Sequence, residues 1–495
     1  MSAPTLDQAT AWRPDALRRL ADAWDEAARV VHLGASIATR SPMRWAGTSG
    51  DAAARQAVTV AADGDAVARA LVLAGVAARD GADQIAAAQA EVAARVDAAR
   101  AEGFLVRDDG SVVAPTEPPE LLVLLCGGDA AVLTEILADR GAELSQRITE
   151  ALDALGAADD DAARDVRDAL AALAAPDAED HPVDAEAGNS DAAPWDVRIA
   201  ANRTAVAQAV VEGLGDRSAA DRGTFYRGLL GEIDDPAGTG ARVDRKILAF
   251  DPARDTLVEL NGDLDRATSV AVLVPGMNTT VAGSAGVTRS ARQFVSATRG
   301  EVAAITYLGG PFPADDTVVG ALVEAASPRF AMDMAPRLAS FSRAVDAAVD
   351  SAAARRGRSI PVTYVGHSYG GAILGTAEAL GLTADRTLYA AAAGTGFGVD
   401  DPGDWHNRNP HVLRFSMTAP GDPIQLVQGI AGGSHGADPD EMPGVIHLAT
   451  GRYDDGRLMA GPSAHTDVLA AMNSDAWRNV LAVITGDRPH IVLAG

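Results

Sequence analysis

Cysteine is almost missing from this 495-residue chain: Cys126 is the only one. No intramolecular disulfide can form, and no cysteine-based zinc site. Cys126 follows the apolar run Leu121–Leu125 and reads as a packed core thiol. Long apolar runs are missing too. No stretch reaches the roughly 18 apolar residues that a bilayer span requires, and Met1 to Arg19 has no apolar core of a secretory leader. The expectation is a soluble, cytoplasmic protein, whose export would need a route without a cleaved signal. Cations are scarce against anions, 42 to 68, for a net charge of -26. Such a surface repels phosphate backbones and anionic lipid heads, so nucleic acid is not expected as a partner. The acid excess serves solubility, and Asp159–Asp161 reads as a solvated face, not a metal site. No metal and no cofactor is expected.

Hydrophobic residues make up 47% of the chain, enough for a full core without staples. At roughly 100–200 residues per domain, two to four domains fit. The first half is helical in pattern. Leu17, Leu20, Trp24, Ala28 and Val31 recur at three- and four-residue steps, one face of a helix, and Pro14 suits its first turn. Trp45–Ala46–Gly47 follows the break near Ser41–Pro42. A second, longer helix fits Asp51 to about Arg100, with Gly64, Gly75 and Gly81 as points where it would bend or break. Asp109–Gly110 between Phe104–Val106 and Ser111–Val113 predicts a small β-hairpin. Helices are expected over about 130–155, 160–173, 197–214 and 219–230. Pro176–Pro194, rich in Asp, Ala and Pro, reads as a linker.

From about Arg245 the pattern changes. Strand-like runs (247–250, 256–260, 269–274, 302–308, 362–365, 387–391, 412–417 and 445–448) alternate with helical segments (287–298, 331–356, 370–380 and 474–485). This predicts an α/β domain, a mostly parallel sheet with helices on both faces, preceded by an all-α region. The expected division is a helical hairpin at 1–105, a β-hairpin with helices at 106–235, and the α/β domain at 240–495.

Val362–Val365 runs into Gly366–His367–Ser368–Tyr369–Gly370–Gly371 and then into a helix. This is G-x-S-x-G in the strand–turn–helix setting that lifts a serine oxygen above a sheet edge. The flanking glycines leave no Cβ where helix and strand nearly touch. A serine hydroxyl needs an imidazole to take its proton and a carboxylate to orient that imidazole. On such a turn the chain order is Ser, then acid, then His. Asp422, after the run Val412–Met417, is the acid candidate; Asp400, Asp401 and Asp404 are rivals that precede that run. His465, in Gly461–Asp467 beyond the last strand, is the base candidate, with His435 as its rival. His447 belongs inside the final strand. The oxyanion hole needs two aimed N–H groups. Tyr369 and Met277 are the candidates, and Asn278 either donates instead or holds the turn. Tyr307, Phe397 and Trp405 complete the candidate substrate contacts, Phe397 and Trp405 from a 394–410 segment that could form a lid or acyl pocket.

Residues of about 240–490 resemble an actinobacterial α/β-hydrolase family formerly described as a domain of unknown function. The matching pieces are Val274–Thr279, Ile305–Gly309, Gly366–Gly370, Ala419–Pro423, His435–Pro439 and Ala464–His465, with Asn202–Arg203 similar to its helical lead-in. The resemblance implies the hydrolase fold and a triad at Ser368, Asp422 and His465. It implies no substrate. Thr466–Asp467 depart from the small or aromatic pair expected after the histidine. Residues 1–105 resemble the WXG-type hairpins of type VII secretion, with Trp45–Ala46–Gly47 at the turn. The tyrosine of that family's export tag has no counterpart here, since no tyrosine precedes Tyr226. The triad chemistry, with an alkoxide leaving more readily than an amide nitrogen, makes the expected function a serine esterase acting on a small-molecule or lipid ester; the alternative is a type VII secretion-associated interaction protein on a weakly active or inactive hydrolase scaffold.

Overall fold

A computed structural model describes residues 3–40, 47–115, 120–125, 129–174, 185–314, 326–428 and 433–494. Trp45, Ala46, Cys126 and residues 176–184 therefore lie outside the described residues. The chain divides into two compact units. One is Met1–Asp180 with Ala207–Gly231; the other is His181–Val206 with Glu232–Gly495.

The first unit is helical. Helix α1 (Leu6–Ala11) opens on a capping box, in which Thr5 and Gln8 satisfy each other's backbone N–H groups. Pro14 starts α2 (Pro14–Arg40). Helix α3 (Thr48–Ala101) then runs unbroken through Gly64, Gly75 and Gly81, against expectation. A Cβ on Gly64 would stand 2.9 Å from the Ala35 Cβ, and one on Gly81 would overlap Ala162. These two glycines are contact points, and the packing they permit outweighs roughly 1 kcal/mol of lost helix propensity at each. Strands β1 (Leu105–Val106) and β2 (Val112–Val113) form the expected hairpin, with Gly110 at φ 81° in its turn. After α4 (Glu120–Leu125), α5 (Ala130–Ala174) is one helix where two were expected. Its Leu144, Ile148, Leu152, Leu155 and Ala162 bury in one cluster with Ile85, Val92 and Val96 of α3. Burial worth about 1.5–3 kcal/mol for each large side chain carries the helix past Gly156.

The second unit begins inside the stretch read as a linker, which contains α6 (Ala185–Asn189). Asn189 exchanges two hydrogen bonds with the Phe250 backbone, each 3.1 Å. Helix α7 (Trp195–Gly213) contributes Arg198, whose Nε donates to the Leu248 carbonyl at 2.8 Å. Asn202 donates to Ile247. These side chains cover the outer strand of the sheet, where unpaired backbone groups would otherwise remain. The chain returns from α8 (Ala220–Leu230) of the first unit, and the short pair β3 (Glu232–Asp234) and β4 (Arg242–Asp244) leads into the sheet.

The strands are β5 (Lys246–Asp251), β6 (Thr256–Asn261), β7 (Ser269–Val274), β8 (Val302–Gly309), β9 (Val362–His367), β10 (Arg386–Ala390), β11 (Leu413–Met417) and β12 (Val445–His447), each within two residues of its predicted position. Their spatial order is β5-β6-β8-β7-β9-β10-β11-β12. β7 through β12 pair in parallel, while β6 is antiparallel to both neighbours. Helices α9 (Ala285–Ala297) and α14 (Asp475–Thr485) cover one face, where Phe294 stacks on Trp477 at 5.1 Å. Helices α10 (Arg329–Arg356) and α11 (Tyr369–Ala379) cover the other. Helices α12 (Gln425–Gln428) and α13 (Ala464–Ala470) lie between later elements.

The strand order itself locates a crevice. The chain leaves β7 in one direction to make β8, then crosses back to make β9 on β7's other side. Loops after β7 and β9 therefore part at their carboxyl ends, the switch point where parallel sheets accept ligands.

Candidate active site

Ser368 lies on that switch point, between β9 and α11. Its backbone sits at φ 55°, ψ -123°, a conformation that side-chain-bearing residues adopt only when the surroundings force it. The forcing groups are visible. Its N–H donates to the Ala390 carbonyl at 3.1 Å, and its own carbonyl accepts from Ala393 at 2.9 Å. Around it the glycines are obligatory. A Cβ on Gly370 would overlap the carbonyl oxygens of Val274 and Pro275, and one on Gly371 would overlap Ala392. A Cβ on Gly276 would stand 2.6 Å from the Ser368 Cβ. The loop after β7 thus reaches the serine because Gly276 has no side chain.

That loop carries one of the candidate oxyanion donors, Met277; the other, Tyr369, begins α11. Asn278 is held at φ 59°, and its N–H donates to the Pro313 carbonyl at 2.8 Å. It holds the turn, and its amide is spent. Among the described residues no hydrogen bond engages the Met277 N–H or the Tyr369 N–H.

Asp422 is buried to 2% exposure in the loop after β11. Its carboxylate accepts the Ile424 N–H at 2.9 Å. Each oxygen also lies 3.0 Å from His465 Nδ1. A carboxylate there selects the tautomer with the proton on Nδ1, leaving the Nε2 lone pair free. His465 occupies the first turn of α13 rather than a loop. Ser368 Oγ makes no hydrogen bond among the described residues, and its bond to the imidazole is not formed in this structure. In free enzymes such bonds are commonly long and tighten only with substrate bound.

The rival residues have other partners. His435 is buried with its ring edge-on to Tyr369 at 5.3 Å, and its carbonyl accepts from Gly396. Asp404 accepts the N–H groups of Asp400 and Asp401, and Asp401 accepts that of Gly403, so this trio caps a turn. His447 lies on β12 with Nε2 3.5 Å from Asp440.

Two of the candidate substrate contacts are buried against other side chains. Tyr307 is buried with its ring against Phe341 at 5.1 Å, on the α10 side of the sheet, and burial raises its hydroxyl pKa. Trp405 packs on Tyr389, with the Arg414 guanidinium 4.4 Å from its ring centre. Both side chains belong to packing layers. Phe397 remains 41% exposed, its N–H bound to Thr376 Oγ1.

Sequence reasoning passed over two side chains here. The Tyr369 hydroxyl donates to the Ser327 carbonyl at 2.6 Å and accepts from the Ala331 N–H, tying the start of α10 to the turn. Burial pushes its pKa up to about 12. His367, the variable residue before the serine, donates from Nε2 to the His465 carbonyl at 2.6 Å. Its only signal in the sequence is an imidazole next to the nucleophile.

A family model described as alpha/beta hydrolase matches residues 251–431. The match takes in Ser368 and Asp422 and ends before His465. No curated protein matches the chain. Among solved structures, the crystal structure of TT1662 from Thermus thermophilus is similar over 39% of this chain and 85% of its own, at 14% identity and a TM-score of 0.22. A likeness that slight carries no argument. Among the described residues, no helix is long and apolar enough to cross a membrane. The family match and the strand order together give the second unit the α/β-hydrolase fold.

Proposed function

We propose that the second unit is a serine hydrolase that cleaves carboxylic esters through an acyl-enzyme. The observation that carries this reading is the convergence at one sheet edge. A serine in a forced backbone conformation stands next to a residue that touches an imidazole-bearing segment, and that imidazole is already paired with a buried carboxylate.

In this reading Ser368 Oγ attacks the acyl carbonyl as His465 Nε2 takes its proton. The negative charge on the carbonyl oxygen turns toward the Met277 and Tyr369 N–H groups. Asp422 stabilises the imidazolium without taking the proton. Collapse expels the alkoxide, which leaves with the proton from His465. Water, activated by the same imidazole, then releases the acid and restores the serine. Esters are favoured because an alkoxide leaves more readily than an amide nitrogen. Phe397, apolar and exposed, is a candidate acyl contact for a small-molecule or lipid ester.

A fluorophosphonate probe tests the reading. Intact protein is expected to label and Ser368→Ala is not, and Ser368→Ala should lose at least about 10⁴-fold in p-nitrophenyl ester turnover. Absence of labelling on intact, folded protein would instead favour the scaffold reading, in which the helical half docks a secretion-system partner.

A further inference from the structure

The chemistry proposed above leaves the imidazole next to the nucleophile without a task. His367 ends β9 and is joined to Ser368 by a single peptide bond. Its Nε2–H donates to the His465 carbonyl at 2.6 Å, and the two rings stand 5.0 Å apart, tilted by 46°. The residue beside the nucleophile therefore grips the main chain of the base.

His465 needs such a grip. It sits in a helix of seven residues whose N-cap, Ser463, makes no side-chain capping bond. A helix that short is held by its tertiary contacts rather than by its own propensity. Asp422 reaches His465 only through Nδ1. That contact fixes how the ring is turned, not where its Cα stands. Ala464 and Val468, both fully buried, and the Tyr453 hydroxyl donating to Asp467 at 2.5 Å seat this helix on the core; the His367 contact adds a direct tie from the His465 main chain to the serine turn.

His367 also suits the task electrically. A small part of it reaches solvent, yet the protein packed around the ring lowers its pKa to about 4, with the charge of His465 adding to the effect and Asp422 opposing it. It is a neutral donor at the pH of ester hydrolysis. A neutral neighbour does not oppose the positive charge that His465 acquires in each turnover.

We infer that His367 is a positioning residue, a one-residue spacer that sets the distance between Ser368 and His465. The inference rests on the proposed hydrolase function. Its test is steady-state hydrolysis of p-nitrophenyl butyrate by the full chain carrying H367F, H367Q, H367M or S368A. Phe fills the space but donates nothing, and H367F is expected to lower kcat about 10²-fold, the cost of a reacting group misplaced by about 1 Å. KM should stay within about twofold, because substrate binding does not use this bond. Gln places an N–H where Nε2 stood, and H367Q should recover most of the lost kcat. If circular dichroism finds H367F unfolded, H367M against H367Q makes the same comparison. Unchanged kcat in the variants lacking a donor, or an equal loss in H367Q, overturns the spacer. S368A separates the two claims. Full turnover by S368A overturns the hydrolase reading itself, whereas an inactive S368A beside a fully active H367F overturns the spacer alone.

Discussion

In the helical unit Gly64 and Gly81 let α3 close on Ala35 and Ala162; in the sheet unit Gly366 and Gly370 let a turn close on main chain. The obstacles differ in kind. Around α3 an added Cβ meets a methyl group on a neighbouring helix, and helices can slide apart by a few tenths of an ångström. Around Ser368 an added Cβ on Gly366 or Gly370 meets carbonyl oxygens and backbone carbons. Those atoms belong to a hydrogen-bonded parallel sheet and the turns that leave it, and have nowhere to go. Glycine thus permits close packing in both units, but only the sheet unit depends on it for the shape of a site.

The largest effect expected from this contrast is at Gly370. Gly370→Ala places a methyl group against the Val274 and Pro275 carbonyls. It should cost at least about 3 kcal/mol, the upper range for overpacking against atoms that cannot relax, and it should be read as a lowered urea midpoint. Wild-type stability in this variant would break the contrast outright.

Gly81→Ala should cost less, about 1–2 kcal/mol. Overpacking against Ala162 costs roughly 1–3 kcal/mol, and the helix recovers up to about 1 kcal/mol in propensity. Gly34 in α2 is the control. No atom lies within 4 Å of its added Cβ, so Gly34→Ala should stabilise by about 0.5–1 kcal/mol. Thermal melts of the pair should therefore move in opposite directions. If both variants melt higher, close packing is not what Gly81 provides.

The same contrast explains what can be read from residues alone. Sequence pattern locates the strands of the sheet to within two residues because most of them bury a short run of β-branched and apolar side chains, too short for a helix. It does not foresee that α3 and α5 run unbroken. Propensity counts a glycine as a break, whereas Ile148, Leu152 and Leu155 buried beside α3 supply more than the glycine costs. Ser368 and its glycines are legible because the strained turn has a local sequence signature. Chain order alone points to the pairing of His465 with Asp422, and carries no distance. That Tyr307 packs on Phe341 and Trp405 on Tyr389 is not legible in the sequence, because an aromatic side chain on a strand or loop carries no mark of which layer it enters. His367 escapes it because its partner is a main-chain carbonyl 98 residues away, and backbone acceptors are the same at every position.

Carboxylates extend the comparison to electrostatics. In the helical unit the Arg140 guanidinium holds the Glu102 carboxyl below its usual pKa. In the sheet unit, burial raises Asp346 on α10 to about 6, with the charges of Asp350 and Asp385 adding and Thr383 and Arg408 opposing. The sign follows directly. A carboxyl whose folded pKa lies above its unfolded value of 3.8 favours folding only once protonated. The wild type therefore gains stability as pH falls from about 6 toward 4, and that gain is gone at neutral pH. Asp346→Asn cannot ionise, so it should be more stable than wild type at pH 7, by about 1 kcal/mol once partial exposure discounts the full shift. The advantage should shrink as pH falls and vanish below about pH 4. Urea midpoints for both proteins at pH 4 and pH 7 decide it. An advantage independent of pH would mean that the amide simply packs better at this position, and that burial of charge is not what separates Asp346 from the paired carboxylates of the helical unit.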